Sequence, residues 1–280
     1  MKYNNEDAME RHFLRLHFVL LYKANMDSGL HINLAAQRLG TLFGIPITNT
    51  LVATWVIIAI LLLCAAIVGR KVTLLPGKFQ NALEMAFELV YGYVHDMLGS
   101  ETLARRYFPL IATIFLFVLT ANFTEFLPIF EPLTVKTAAG SVPLLHVVTT
   151  DLNTTLALAI IAFLVVEISG IIMLGFLKYG SKYVNFRAGF MGFVIGLLEI
   201  IGNLARLLSL SFRLFGAIFA GDVLIMVIGS FVPYLAPVPL MAFELFIGLL
   251  QAAIFAILTL AYIKLALEEP HVSSKHAAAH

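Results

Sequence analysis

Residues 189–230 read GFMGFVIGLLEIIGNLARLLSLSFRLFGAIFAGDVLIMVIGS, about forty residues without a proline and with only Glu199, Arg206, Arg213 and Asp222 charged. As one helix at ~1.5 Å per residue the run is about 60 Å long, twice a ~30 Å hydrocarbon core. Two separate spans would need a polar turn inside it, and there is none. The sequence therefore predicts a single helix inclined far beyond the usual ~20°. A steeply inclined segment with four charged side chains cannot face lipid throughout, so it needs protein beside it. Pro233, Pro237 and Pro239 end the run, and Leu240 to Leu267 returns as a last long helix.

Working outward, the 280 residues are 60% apolar and 12% charged, with a mean hydropathy of +0.94. That composition is far from the soluble average and reads as an all-α integral membrane protein. The net charge of +1 and the absence of a basic patch argue against nucleic-acid binding. Cys64 is the one cysteine, so no disulfide within the chain and no cysteine metal cluster can form. The expected organisation is an extramembrane tail over 1–46, a membrane domain over 47–267 and a terminal tail over 268–280. Helices are expected near 50–69, 79–98, 107–128, 151–177, 189–231 and 238–267. That makes about five membrane-embedded helices plus one surface amphipathic helix. The surface helix is 79–98, whose Met85, Leu89, Val90 and Val94 alternate with Glu84, Glu88, His95 and Asp96 at helical period. The first forty-five residues have the weakest pattern, too short in apolar run to span and acidic where a signal peptide would be basic.

Lysines and arginines set the orientation. Arg70, Lys71 and Lys78 follow the first span, Arg105 and Arg106 precede the second, and Lys178, Lys182 and Arg187 follow the third. The loop 130–150 carries only Lys136 and the Pro233 turn none. Five spans then place the N-terminus outside and the C-terminus inside, although the basic residues of the first forty count against this.

The charges of the long helix are not scattered. At ~100° per residue, Glu199, Arg206 and Arg213 form one stripe with Asn203 beside it, while Asp222 falls on the opposite face. On the last helix Glu244, Gly248, Gln251 and Tyr262 share a face. An arginine keeps its proton in a protein and is costly in hydrocarbon, so Arg213 demands a reason. Two partial polar paths are implied, one from Asp222 and Glu244 and one toward Glu199, with a fixed cation between them.

Arg213, Leu214, Phe215 and Gly216 with Ala220, Gly221 and Asp222 resemble the signature of subunit a of the F-type ATP synthase. The run from Asp151 to Leu158 and the set Gln251, Leu258, Thr259 and Tyr262 extend the resemblance, in the expected order, from about Phe79 to Tyr262. It implies a stator subunit whose two long helices pack against a rotating ring of c subunits. The b subunits of the peripheral stalk and the other synthase subunits would be further partners, within a bilayer. By carry-over, Arg213 is the essential arginine facing the ring, Asp222, Glu244 and Gln251 line an outer half-channel, and Glu199 with Asn203 belongs to an inner one. The family often has asparagine where this chain has Ala217, and histidine in some members where it has Glu244. No Walker loop, catalytic triad or zinc motif is present, so ATP chemistry is expected on another chain, with no cofactor or metal on this one.

Plainer readings stand beside these. Arg213 could pair with Glu199 or a lipid headgroup, Arg206 with Glu167 or Glu199, and Asp222 and Glu244 could pair locally. Gln251 fits an interhelical hydrogen bond, Tyr262 an interfacial anchor and Glu167 structural pairing, while Arg206, Glu167, Asp151 and Tyr262 stand as possible further site residues. His276 and His280 are four apart but sit in an Ala-rich tail. The glycosylation patterns at Asn122 and Asn153 fall at or in spans. The rival function is a secondary transporter binding a small solute or ion at midplane, although no internal repeat supports it. A bacterial plasma membrane is favoured over a mitochondrial or thylakoid one.

Overall fold

The computed structural model describes residues 36–42, 45–70, 77–126, 133–137, 140–175, 179–180, 189–232 and 236–267. Most of the expected N-terminal tail, the C-terminal tail with His276 and His280, and Lys178, Lys182 and Arg187 lie outside them. In chain order come β1 (Arg38–Leu42), β2 (Ile45–Thr48), α1 (Asn49–Arg70), α2 (Lys78–Leu98) and α3 (Glu101–Phe123) with one 3-10 turn over Thr124–Phe126. Then follow β3 (Thr134–Thr137), β4 (Gly140–Pro143), α4 (Leu152–Leu174), α5 (Gly189–Phe231) and α6 (Pro237–Leu267). The chain is an all-α integral membrane protein: α1, α3, α4, α5 and α6 are five helices long and apolar enough to cross a bilayer. The decisive run is one unbroken helix of 43 residues.

Two short antiparallel hairpins, β1 with β2 and β3 with β4, were not foreseen in the sequence. Four or five residues carry too little alternation to stand out as strands. The second span starts at Glu101 rather than near Tyr107, because Glu101 suits the positive end of the helix and meets Arg105 one turn on at 2.8 Å.

The chain forms two compact units. One draws on Met1–Val72, Leu116–Thr155 and Leu214–Ala252. Its apolar core is Ala53 and Ile57 of α1, Ala121 of α3, and Leu145 and Val148 of the segment before α4. Thr48 caps α1 by accepting from the Leu51 amide, and the Asn49 side-chain oxygen accepts from the amides of Gln37 and Thr50. Buried Asp151 ties the start of α4 into this unit: one oxygen accepts from the Asn153 amide at 3.1 Å, the other from the hydroxyls of Thr154 and Thr50 at 3.1 and 3.0 Å. The Asp151 carboxylate is thus an N-cap and a link to α1. Replacing Asp151 with alanine strands the Asn153 amide of α4 and leaves the Thr50 hydroxyl only the Thr48 hydroxyl at 3.1 Å, which should cost about 1–2 kcal/mol. Thermal unfolding of the purified protein in detergent would show this as a lowered midpoint, with Asp151→Asn falling between.

The other unit draws on Thr73–Phe115, Leu156–Arg213 and Ala253–His280. Val94 of α2, Ala104, Tyr107 and Ile111 of α3, and Ala256, Leu260 and Ile263 of α6 make its core. Gly99 ends α2 with φ of 65°, a left-handed conformation that favours glycine, and its amide closes on the His95 carbonyl at 2.8 Å. The turn is fastened by the Tyr91 hydroxyl donating to Glu101 and by Tyr91 and Phe87 meeting the Phe108 ring edge-on. Met85 and Leu89 stay exposed on the far side of α2, as an amphipathic helix lying along a membrane surface requires.

Candidate functional site

Among the described residues, each unit holds a cluster of charged and polar side chains that draws on its long helices. In the unit built on Leu214–Ala252, carboxylate oxygens of Glu125, Asp222 and Glu244 lie within 4.8 Å of one another. Glu125 comes from the 3-10 turn that ends α3, Asp222 from α5 and Glu244 from α6. Three negative charges at that spacing repel one another unless protons or a cation lie among them. Glu244 is 3% exposed, and no amide or hydroxyl donor among the described residues reaches either of its oxygens. It fits only because residue 221 has no side chain: a Cβ on Gly221 would fall 2.0 Å from Glu244 Oε1.

Around this cluster the polar residues are buried. The Asn122 amide donates to the Gly248 carbonyl at 2.8 Å, fixing α3 against α6 one turn from Glu244. Gln251 is 5% exposed, and its amide nitrogen meets no acceptor among the described residues. His146, in the segment before α4, has Nε2 3.4 Å from the Thr150 hydroxyl. Burial holds its imidazole below its ordinary value, against the opposing pull of Asp222 and Asp151. It is therefore neutral near pH 7 and able to take up a proton at one nitrogen as it gives one up at the other.

The second cluster belongs to the unit holding Leu156–Arg213. Arg206 donates to the Asn203 side-chain oxygen at 2.7 Å and stands 3.9 Å from Glu199. Asn203 in turn donates to Glu167 at 3.4 Å, and Glu167 accepts from the Tyr179 hydroxyl at 3.1 Å. The Arg206 guanidinium lies 5.9 Å from the centre of the Tyr262 ring, within cation–π range. A small half-open cavity of about 30 Å³ is lined by Glu167, Asn203, Arg206, Thr259 and Tyr262. Glu167, Glu199, Asn203 and Arg206 thus form one connected network, with Tyr262 packed on it.

Arg213, in the same unit, is not part of that network. It is exposed, its nearest polar partner is the Ser209 hydroxyl at 3.5 Å, and no carboxylate among the described residues pairs with it. The pairing of Arg213 with Glu199 that a shared stripe allows is not formed. Ser209 and Ala205, the small residues one and two turns before it, are exposed on the same side.

Sequence reasoning missed Glu125, His146, Asn122 and Tyr179. Asn122 and Glu125 had a legible signal, two polar groups one helical turn apart at the end of an apolar span. His146 and Tyr179 had none, since each lies outside the long helices and reaches its cluster only through the fold.

Residues 51–264 match the family model described as ATP synthase A chain. Among similar curated proteins, the ATP synthase subunit a of Moorella thermoacetica is 34% identical over 78% of this chain and 90% of its own length. That of Campylobacter fetus subsp. fetus is 38% identical over 73% of this chain and 83% of its own. Subunit a 2 of Syntrophotalea carbinolica is 35% identical over 78% and 85%. With five apolar helices, an arginine on the longest of them that pairs with no carboxylate among the described residues, and relatives matched over most of their length, this chain belongs to the ATP synthase subunit a family.

Proposed function

We propose that this chain is the membrane stator of an F-type ATP synthase, forming two offset proton half-channels against a rotating c-ring in a bacterial plasma membrane. The exposed Arg213, in an apolar helix and without a carboxylate partner among the described residues, carries the reading. A guanidinium facing acyl chains is costly, so that side of α5 calls for a protein partner bearing negative charge, which a ring carboxylate supplies. The exposed Ser209 and Ala205 let such a partner approach closely.

The outer path uses Asp222, Glu244 and Gln251, with Glu125 beside them. Where some family members have histidine at the place of Glu244, this chain offers the neutral His146 near Asp222 instead. The inner path uses Glu199 and Asn203, and Glu167 and Arg206 extend it into the cavity. A permanent cation lowers the pKa of a passing ring carboxylate, so that group gives up its proton before Arg213 and takes another from the opposite path. The same charge blocks protons from hopping directly from one path to the other. Rotation and proton flow are thereby coupled, and ATP chemistry stays on other chains.

Ser209→Cys in a Cys64→Ser background tests this. Mild oxidation of membranes should join it to a cysteine placed beside the ring carboxylate, giving a product of this chain plus one small proteolipid. A protein that purifies alone or as a homo-oligomer and forms no such product would instead be a solute transporter.

A further inference from the structure

We infer that Glu125, Asp222 and Glu244 form a binding site for one hard divalent cation of the Ca²⁺ type, taken up from the outer side, where it competes with protons. The inference rests on the outer-path reading given above. A proton needs one oxygen, or two to share it, whereas here three carboxylates from three elements turn an oxygen each toward a common point. Oxygens all within 4.8 Å of one another leave a central ion no more than about 2.8 Å from each, close to the ~2.3–2.6 Å of Ca²⁺–oxygen bonds. Three carboxylate oxygens without sulfur are the donors that hard cations select.

A second observation separates this cluster from an ordinary acidic patch. Glu244 is 97% buried by its 3% exposure, aims into the cluster, and meets no amide or hydroxyl donor among the described residues. Neither it nor Asp222 pairs with a lysine or arginine among the described residues. Gly221 leaves room for that carboxylate, since any side chain there would occupy the space of Oε1. The groups facing the cluster are neutral: the Asn122 amide is committed to Gly248 and burial keeps His146 uncharged near pH 7. The cation would supply the positive charge that the protein itself does not.

The whole synthase, reconstituted with its catalytic head outward, exposes the outer path to the liposome lumen. Lumenal Ca²⁺ at ~1 mM should slow ATP-driven proton pumping about tenfold relative to a chelator-loaded lumen, if its Kd is near 10⁻⁴ M as in extracellular Ca²⁺ modules. Mg²⁺, which gives up its water reluctantly, should act far less. Glu125→Gln, compared with its own Ca²⁺-free rate, should raise the half-inhibitory concentration about tenfold, because fewer ligand charges weaken such sites. Glu125→Asp should raise it less, and it carries the comparison if Glu125→Gln does not assemble. Pumping unchanged by lumenal Ca²⁺, or equal inhibition of the wild type and the Glu125 variants, would overturn the cation site while leaving the outer path standing. If Arg213→Ala retained coupled synthesis, the underlying reading would fail instead, whatever Ca²⁺ does.

Discussion

Arg213→Ala should abolish proton-driven ATP synthesis while leaving the complex assembled and its vesicles leakier to protons than the wild type. At an effective dielectric of ~20 a guanidinium about 5 Å from a carboxylate favours ionisation by roughly 3 kcal/mol, or about two pKa units. Without it, a ring carboxylate would release its proton on the order of 100-fold less readily, and the ring would carry protons past the stator without turning usefully. Removing the charge also lowers the barrier between the two paths, so passive proton flow rises as synthesis falls. That opposite movement separates a gating charge from a structural one, since a damaged fold lowers both. The exposure of Arg213 makes the variant a fair test: its side chain fills no core and its single weak contact is to Ser209. Arg213→Lys should fall short of the wild type as well, because an ammonium in a poorly hydrated seam can shed its proton. Synthesis in vesicles under an imposed proton gradient, with dye-reported leak in the same preparation, decides the matter. Coupled synthesis near the wild-type rate would sink the assignment.

Those features of the molecule that follow from periodicity and bilayer length were legible before any coordinates. The proline-free run declared α5, and the apolar lengths declared the other spans, because a helix in lipid must satisfy its own backbone and so advertises itself in composition. Asp222 and Glu244 could be paired by rotation arithmetic on two helices, and the structure does bring them together. Glu125 and His146 could not, because their place beside Asp222 depends on how a 3-10 turn and a loop fold back, which no repeat encodes. Asp151 shows the opposite limit. It belongs to a family motif, yet its carboxylate is wholly occupied in capping α4 and holding Thr50. Glu167 shows a third, since helix arithmetic offers it Arg206 as a partner, whereas Asn203 and Tyr179 are the side chains that donate to it.

Gly221→Ala should silence the outer path about as well as removing Glu244 does, while leaving the protein as stable as before. The added Cβ would lie 2.0 Å from Glu244 Oε1 and 2.6 Å from Cδ, so the carboxylate has to leave. It is the free end of a flexible side chain, which can swing aside at little cost, and alanine is favoured over glycine within a helix by about 1 kcal/mol. Stability is thus unchanged or raised, but the oxygens of Glu244 no longer converge on those of Asp222 and Glu125. A displacement of an ångström or more at a proton-transfer site should slow pumping roughly 10–100-fold. Glu244→Asp in the same chain withdraws the carboxylate by one methylene and should recover part of the loss. The decisive comparison is a double-mutant cycle: once Glu244→Ala has removed the side chain, Gly221→Ala has nothing to displace and should cost no further activity. Losses that multiply in the double variant, or wild-type pumping by Gly221→Ala alone, would mean that the close approach of Gly221 to Glu244 is incidental and that protons reach Asp222 by another route.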